Sequence, residues 1–114
     1  MYIINPNASR EQVLIQVPHP CDDFIAPYIA MDLFLEIDAF GFMINGTGRE
    51  VEWSEEGTYT NSKSLSDPSR YQYTIFQKFQ EAVTEPLINT QPHWPLVFAI
   101  HSFDNASHST RYSV

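Results

Sequence analysis

The sequence predicts an α/β domain, a parallel or mixed β-sheet flanked by helices. Three observations predict it. Residues 13–17 and 96–100 are short, continuous apolar runs, the pattern of strands buried on both faces. Two stretches between them carry apolar residues at helical spacing. The resulting order of strand, helix, strand, loop, helix, strand places helices over a sheet.

Each element has its own signal. Residues 1–10 read as a polar lead-in or a short edge segment. The run 13–17 contains one glutamine, Gln16, and is stopped by Pro18, which marks a central strand. Pro18 and Pro20 then hold an extended, rigid exit around His19. A helix is predicted from Pro27, which suits a first turn, to about Phe40, ending at Gly41. Ile29, Leu33 and Ile37 form one apolar row, Ala30 and Phe34 the next, and Met31 and Leu35 carry the surface further round. Asp32 and Glu36 mark the polar stripe that is left. A helix apolar over most of its circumference is covered on more than one side. In so short a chain, this points to a partner subunit or a further part of the fold.

Residues 41–45 (Gly-Phe-Met-Ile-Asn) form the next strand candidate. Residues 46–68 have no apolar period and hold Gly46, Gly48 and Gly57. Such a loop in a compact domain is usually functional or disordered. A hairpin over 51–59 would let Val51, Trp53 and Tyr59 pack. A second helix is predicted over 69–84, capped by Asp67 with Pro68 in its first turn. Ile75, Phe76, Phe79, Ala82 and Val83 follow its spacing. Residues 85–95 read as a Pro-rich connection, and the tail from Ala106 is polar.

The 114 residues suffice for one core and are too few for two, so 1–114 is expected to be one domain. Lys and Arg total 6 against 14 Asp and Glu, a formal charge of -8. This excludes a nucleic-acid surface, which needs a basic patch, and adhesion to anionic membranes. Cys21 is the single cysteine, so no intrachain disulfide forms, which suits a reducing compartment. The first residues lack the basic and apolar regions of a secretory signal. No apolar run approaches the roughly 20 residues of a membrane span. The expected location is cytoplasmic.

Two histidines follow the two clearest strands: His19 after 13–17 and His101 after 96–100. In a parallel sheet the carboxyl ends of the strands open onto one edge, where ligands bind. His19 and Asp22 are spaced His-x-x-Asp, so one tight loop can offer an imidazole and a carboxylate to the same metal. His101 would supply a third ligand and water the fourth position, which suits one zinc ion. Asp23 is the alternative carboxylate, or a partner that fixes the His19 tautomer.

The segments 18–22 (Pro-His-Pro-Cys-Asp) and 99–103 (Ala-Ile-His-Ser-Phe) resemble the zinc carboxypeptidase-like hydrolases. That family places a His-x-x-Glu/Asp loop after one strand and a His-Ser-aromatic loop after a later one. The Pro-His context also resembles the N-formylglutamate amidohydrolase branch. Residues 45–49 (Asn-Gly-Thr-Gly-Arg) and 66–70 (Ser-Asp-Pro-Ser-Arg) resemble loops that carry substrate-binding arginines there. The resemblance covers about residues 12–105. It implies a zinc-exopeptidase-like (phosphorylase/hydrolase-like) fold, with zinc held by His19, Asp22 and His101. It implies that Arg49 or Arg70 pairs with a substrate carboxylate or polarises the scissile carbonyl, with Asn45 orienting substrate. The substrate would be a small carboxylate-bearing peptide or N-acyl amino acid, hydrolysed at an amide bond.

One departure matters. The family supplies a glutamate general base from a later strand, and this chain ends soon after His101. Glu50, Glu52, Glu55 and Glu56 in the long loop are the remaining acids. Three explanations follow: the N-terminal part of a larger hydrolase, a shortened and inactive binding protein that keeps the scaffold, or a site completed by another chain in a homo-oligomer. Cys21 reads as an inert thiol, and Ser102 lacks the Gly-flanked elbow of serine hydrolases. His93 reads as loop packing, and His108 lies in the polar tail.

Overall fold

The computed structural model describes residues 1–55, 64–90 and 93–102. Six elements form: β1 (Tyr2–Ile4), β2 (Arg10–Val17), α1 (Ala26–Glu36), β3 (Ala39–Ile44), α2 (Ile75–Thr90) and β4 (Leu96–Ala99). The strands make one mixed sheet in the order β1-β3-β2-β4. β2 runs parallel to both β3 and β4, while β1 pairs antiparallel with β3. The class is α/β, as the element order predicts.

Alternation along β2 sends its side chains to two cores. Val13, Ile15 and Val17 face α1, where they pack with Ala26, Ala30, Phe34 and Phe42. Leu14 faces α2 and joins Met43, Phe76 and Leu87. The two helices therefore cover opposite faces. The chain passes from β2 to β3 on one side and then back across to β4 on the other. β2 is thus the point where the winding reverses, and its carboxyl end is where such sheets open a crevice.

Several boundaries differ from expectation. Helix α1 ends at Glu36 because Asp38 takes a left-handed conformation, φ 52°. Its carboxylate accepts hydrogen bonds from the Ser9 N–H (2.7 Å) and the Asn5 amide (2.9 Å). Residues 39 and 40, expected in the helix, instead begin β3: the Asn5 N–H donates to the Phe40 carbonyl, and Arg10 pairs with Ala39. The second helix starts at Ile75, six residues later than expected. Thr74 starts it by accepting the Gln77 N–H at 3.1 Å. Asp67 caps a separate turn, accepting the Ser69 N–H at 2.8 Å. Helix α2 also continues through Pro86, into the stretch expected to be a connection.

Among the described residues near the expected hairpin over 51–59, an antiparallel bridge joins Trp53 to Ser64, beyond that range. Residues 56–63 lie outside the described residues, as do the tail from Ala106 and His108. Among the described residues, no helix is long and apolar enough to cross a membrane.

Candidate metal centre

The carboxyl ends of β2 and β4 are neighbours, so the residues just past them meet. Pro18 and His19 leave β2, and the chain turns at once: the His19 carbonyl accepts the N–H groups of Asp22 (3.1 Å) and Asp23 (2.8 Å). The Asp23 carbonyl accepts the Ala26 N–H at 2.9 Å, which leads the chain into α1. On the other strand, the Ile100 N–H donates to the Gln16 carbonyl at 2.8 Å, setting His101 beside this turn. The rings of His19 and His101 lie 5.1 Å apart.

Ligand atoms of His19, Asp23 and His101 all lie within 4.8 Å of one another. The carboxylate that joins the two histidines is thus that of Asp23. Its Oδ2 lies 3.1 Å from His101 Nδ1, and its Oδ1 accepts the Ser102 hydroxyl at 2.8 Å. Asp22 is exposed and turned to Arg49, whose Nε donates to it at 3.1 Å. The tight turn sends successive side chains in different directions, and the second of the two aspartates meets the cluster.

His19 is almost wholly buried, and a buried imidazole needs partners for both nitrogens. Nε2 lies 2.8 Å from Asp67 Oδ1 and 3.2 Å from the Ser69 hydroxyl. Burial by itself raises the Asp67 carboxyl, yet the hydrogen bond from His19, the Ser69 N–H and the charges of His19 and Arg70 together hold it below its usual value. Asp67 accepts the Nε2 proton, so in the neutral ring the lone pair lies on Nδ1. Nδ1 is buried and has no partner among the described residues. Two imidazoles and a carboxylate with ligand atoms within 4.8 Å of one another are a donor set that fits a divalent ion of the zinc type. The Asp67–His19 pair has the form of the carboxylate–imidazole pairs that orient histidines in metal sites.

The other expected site residues surround this cluster. Arg70 is half-exposed, with Nε 3.5 Å from Asp67 Oδ2, so its guanidinium sits on the carboxylate that holds His19. Arg49 lies on the Asp22 side. Asn45 is buried, and its Nδ2 donates to the carbonyls of Pro18 and Thr47, each at 3.1 Å. It ties the end of β3 to the loop that carries His19. A hollow of about 410 Å³ is lined by Asn45 together with Tyr2, Ser66, Tyr71, Tyr73 and Phe76, among others. Ser66 faces it, and the next residue, Asp67, faces His19.

Sequence reading misses two participants. Asp67 carries a strong turn signal, Asp-Pro, which points to a cap and says nothing of a histidine far along the chain. Ser102 is weighed in the sequence only as a nucleophile, whereas its hydroxyl anchors Asp23. Comparison with protein-family models, curated proteins and solved structures gives no match.

Proposed function

We propose that the chain is a single-metal hydrolase domain in which His19, Asp23 and His101 hold one zinc ion. One observation carries the reading: a buried imidazole whose Nε2 is fixed by Asp67 and whose Nδ1 has no partner among the described residues. A zinc ion with three protein ligands supplies Lewis acidity and a water of lowered pKa. The residues of this chain do the rest. Asp67 holds the His19 ring in one tautomer and orientation. Ser102 fixes one oxygen of Asp23, leaving the other on the His101 side. Arg70, half-exposed beside Asp67, is a cation that can meet a substrate carboxylate or a developing oxyanion.

The resemblance of 18–22 and 99–103 to zinc carboxypeptidase-like and N-formylglutamate amidohydrolase-like proteins gives the reaction class. It is hydrolysis of an amide or peptide bond in a small carboxylate-bearing substrate. The neighbouring hollow, walled by tyrosines and Phe76, has room for an apolar side chain of such a substrate.

A second reading rests on a specific observation. Both outer carboxylates beside the cluster are engaged, Asp22 by Arg49 and Asp67 by His19 and Arg70. Each already has a cationic partner, whereas the reaction class requires a general base poised for proton transfer. The alternative is a binding protein that retains the metal site without turnover. The discriminating experiment is a screen of N-acyl amino acids and short peptides with zinc-loaded protein. Turnover that disappears in His101→Ala and shows a raised KM in Arg70→Ala supports the hydrolase. Metal binding without turnover on any of them supports the binding protein.

A further inference from the structure

Helix α1 buries Ala26, Ala30 and Phe34 against β2 and β3, and leaves its outer surface apolar. Phe24 is 79% exposed, Tyr28 73%, Leu35 67%, and Ile25 and Ile29 are exposed beside them. On the helix, Tyr28 and Leu35 lie on one row and Ile29, Asp32 and Glu36 on the next, with Phe24 in the turn just before the helix and Ile25 at its N-cap. The first turns of this surface are apolar, and its last turns carry two carboxylates.

Those carboxylates sit badly for an isolated helix. Asp32 and Glu36 are four residues apart on one face, where like charges repel. Glu36 also lies at the carboxyl end, where the helix dipole disfavours an anion. No basic residue occupies the last turn. The sequence has no Lys or Arg between Arg10 and Arg49, so α1 and its flanking turns carry none. Asp32, Leu35 and Glu36 form a shallow, open surface at the end of the helix. An apolar wall beside two carboxylates matches a Lys or Arg side chain, whose aliphatic stem packs on Leu35 while its cationic head meets Asp32 and Glu36.

We propose that the outer face of α1 docks a basic amphipathic helix of a partner protein. Its apolar residues cover Phe24, Tyr28 and Ile29, and its Lys or Arg residues pair with Asp32 and Glu36. This is helix-on-helix recognition with apolar anchors for affinity and charge for orientation. A second copy of this chain is a poorer fit. Packed α1 against α1, it brings the same apolar and acidic residues and no cation from that helix. The surface lies on the outer side of α1 and is independent of the metal.

The test uses a labelled Leu/Lys amphipathic peptide of about 18 residues, several helical turns, with the matching Leu/Glu peptide as control. Binding is read by fluorescence anisotropy, and the contact is mapped by amide chemical shifts. The Leu/Lys peptide is expected to bind with shifts centred on residues 24–36, and the Leu/Glu peptide is not. Tyr28→Ser with Leu35→Ser, and separately Asp32→Asn with Glu36→Gln, should each weaken binding by about tenfold or more. Glu50→Gln with Glu85→Gln removes the same charge elsewhere and should leave binding unchanged. All these side chains are exposed, so the fold is retained, as circular dichroism will verify. Absence of binding, or equal weakening by the Glu50 and Glu85 changes, overturns the proposal. So does a dimer of this chain that Tyr28→Ser with Leu35→Ser dissociates.

Discussion

Nε2 of His19 lies 2.8 Å from Oδ1 of Asp67, 48 residues further along the chain. This contact joins the end of β2 to the turn before α2. It fixes which nitrogen of His19 carries the proton. In the proposed metal centre it makes Asp67 the support of a metal ligand, and Asp67→Asn tests that role. Asn keeps an acceptor and a similar shape but loses the charge. Zinc affinity, measured by competition with a chromophoric chelator, should fall about 10- to 100-fold. The circular dichroism spectrum of the folded protein should remain. Unchanged affinity would leave Asp67 a purely structural turn residue.

The two neighbouring aspartates should behave in opposite ways. Asp23→Asn removes the carboxylate that meets both His101 and Ser102, and zinc binding should drop by at least about tenfold. Asp22→Asn breaks an exposed pair with Arg49, worth about 0–1 kcal/mol at most. It should leave zinc binding intact. Isothermal titration of the two variants separates them. The opposite ranking would return Asp22 to the ligand set.

Phe42 is fully buried between β2 and α1, its ring 5.5 Å from that of Phe34. Truncation to Ala leaves a cavity that the sheet cannot close, because both β1 and β2 are bonded to β3. The expected loss is about 3–5 kcal/mol in urea unfolding. That is a large share of the roughly 5–15 kcal/mol that holds an ordinary domain folded. A loss below about 1 kcal/mol would contradict this packing.

Asp38 gives a pH dependence. The Ser9 backbone N–H, then the Ser9 side chain, with a contribution from Asn5, hold its carboxyl below the usual value against a smaller effect of burial. A carboxyl lowered in the folded state contributes stability that is full above its unfolded pKa, about 3.9. That contribution fades as pH falls through the lower folded value. Asp38→Asn tolerates the left-handed conformation and keeps an acceptor, but does not titrate. The midpoint of urea unfolding should fall less steeply below about pH 4 in the variant than in the parent. Parallel curves would remove Asp38 as a source of acid sensitivity.

The strands are legible in the sequence because continuous apolar runs ending at Pro18 and at His101 have few other readings. The two histidines are legible for the same reason, since a strand end places its next residue at the sheet edge. The choice between Asp22 and Asp23 is not. It depends on a turn in which one carbonyl accepts two successive N–H groups, and no spacing rule encodes that direction. The start of α2 is misplaced because Asp67-Pro68 signals a turn as strongly as it signals a helix. The real cap, Thr74, is a weaker signal. Pro86 reads as a break, yet a helix with Leu87 buried in the core retains it despite the missing N–H. The apolar excess of α1 is legible from spacing alone. Which side of that helix stays open is not, because it depends on how Ala26, Ala30 and Phe34 seat on the sheet.

The most direct test is zinc content. Protein purified without added metal or chelator is compared with His19→Ala and His101→Ala, before and after zinc addition and desalting. The account predicts about one zinc per chain in the parent, as one three-ligand site requires, and none retained in either variant. Correctly folded parent protein that holds no zinc even after addition would contradict it.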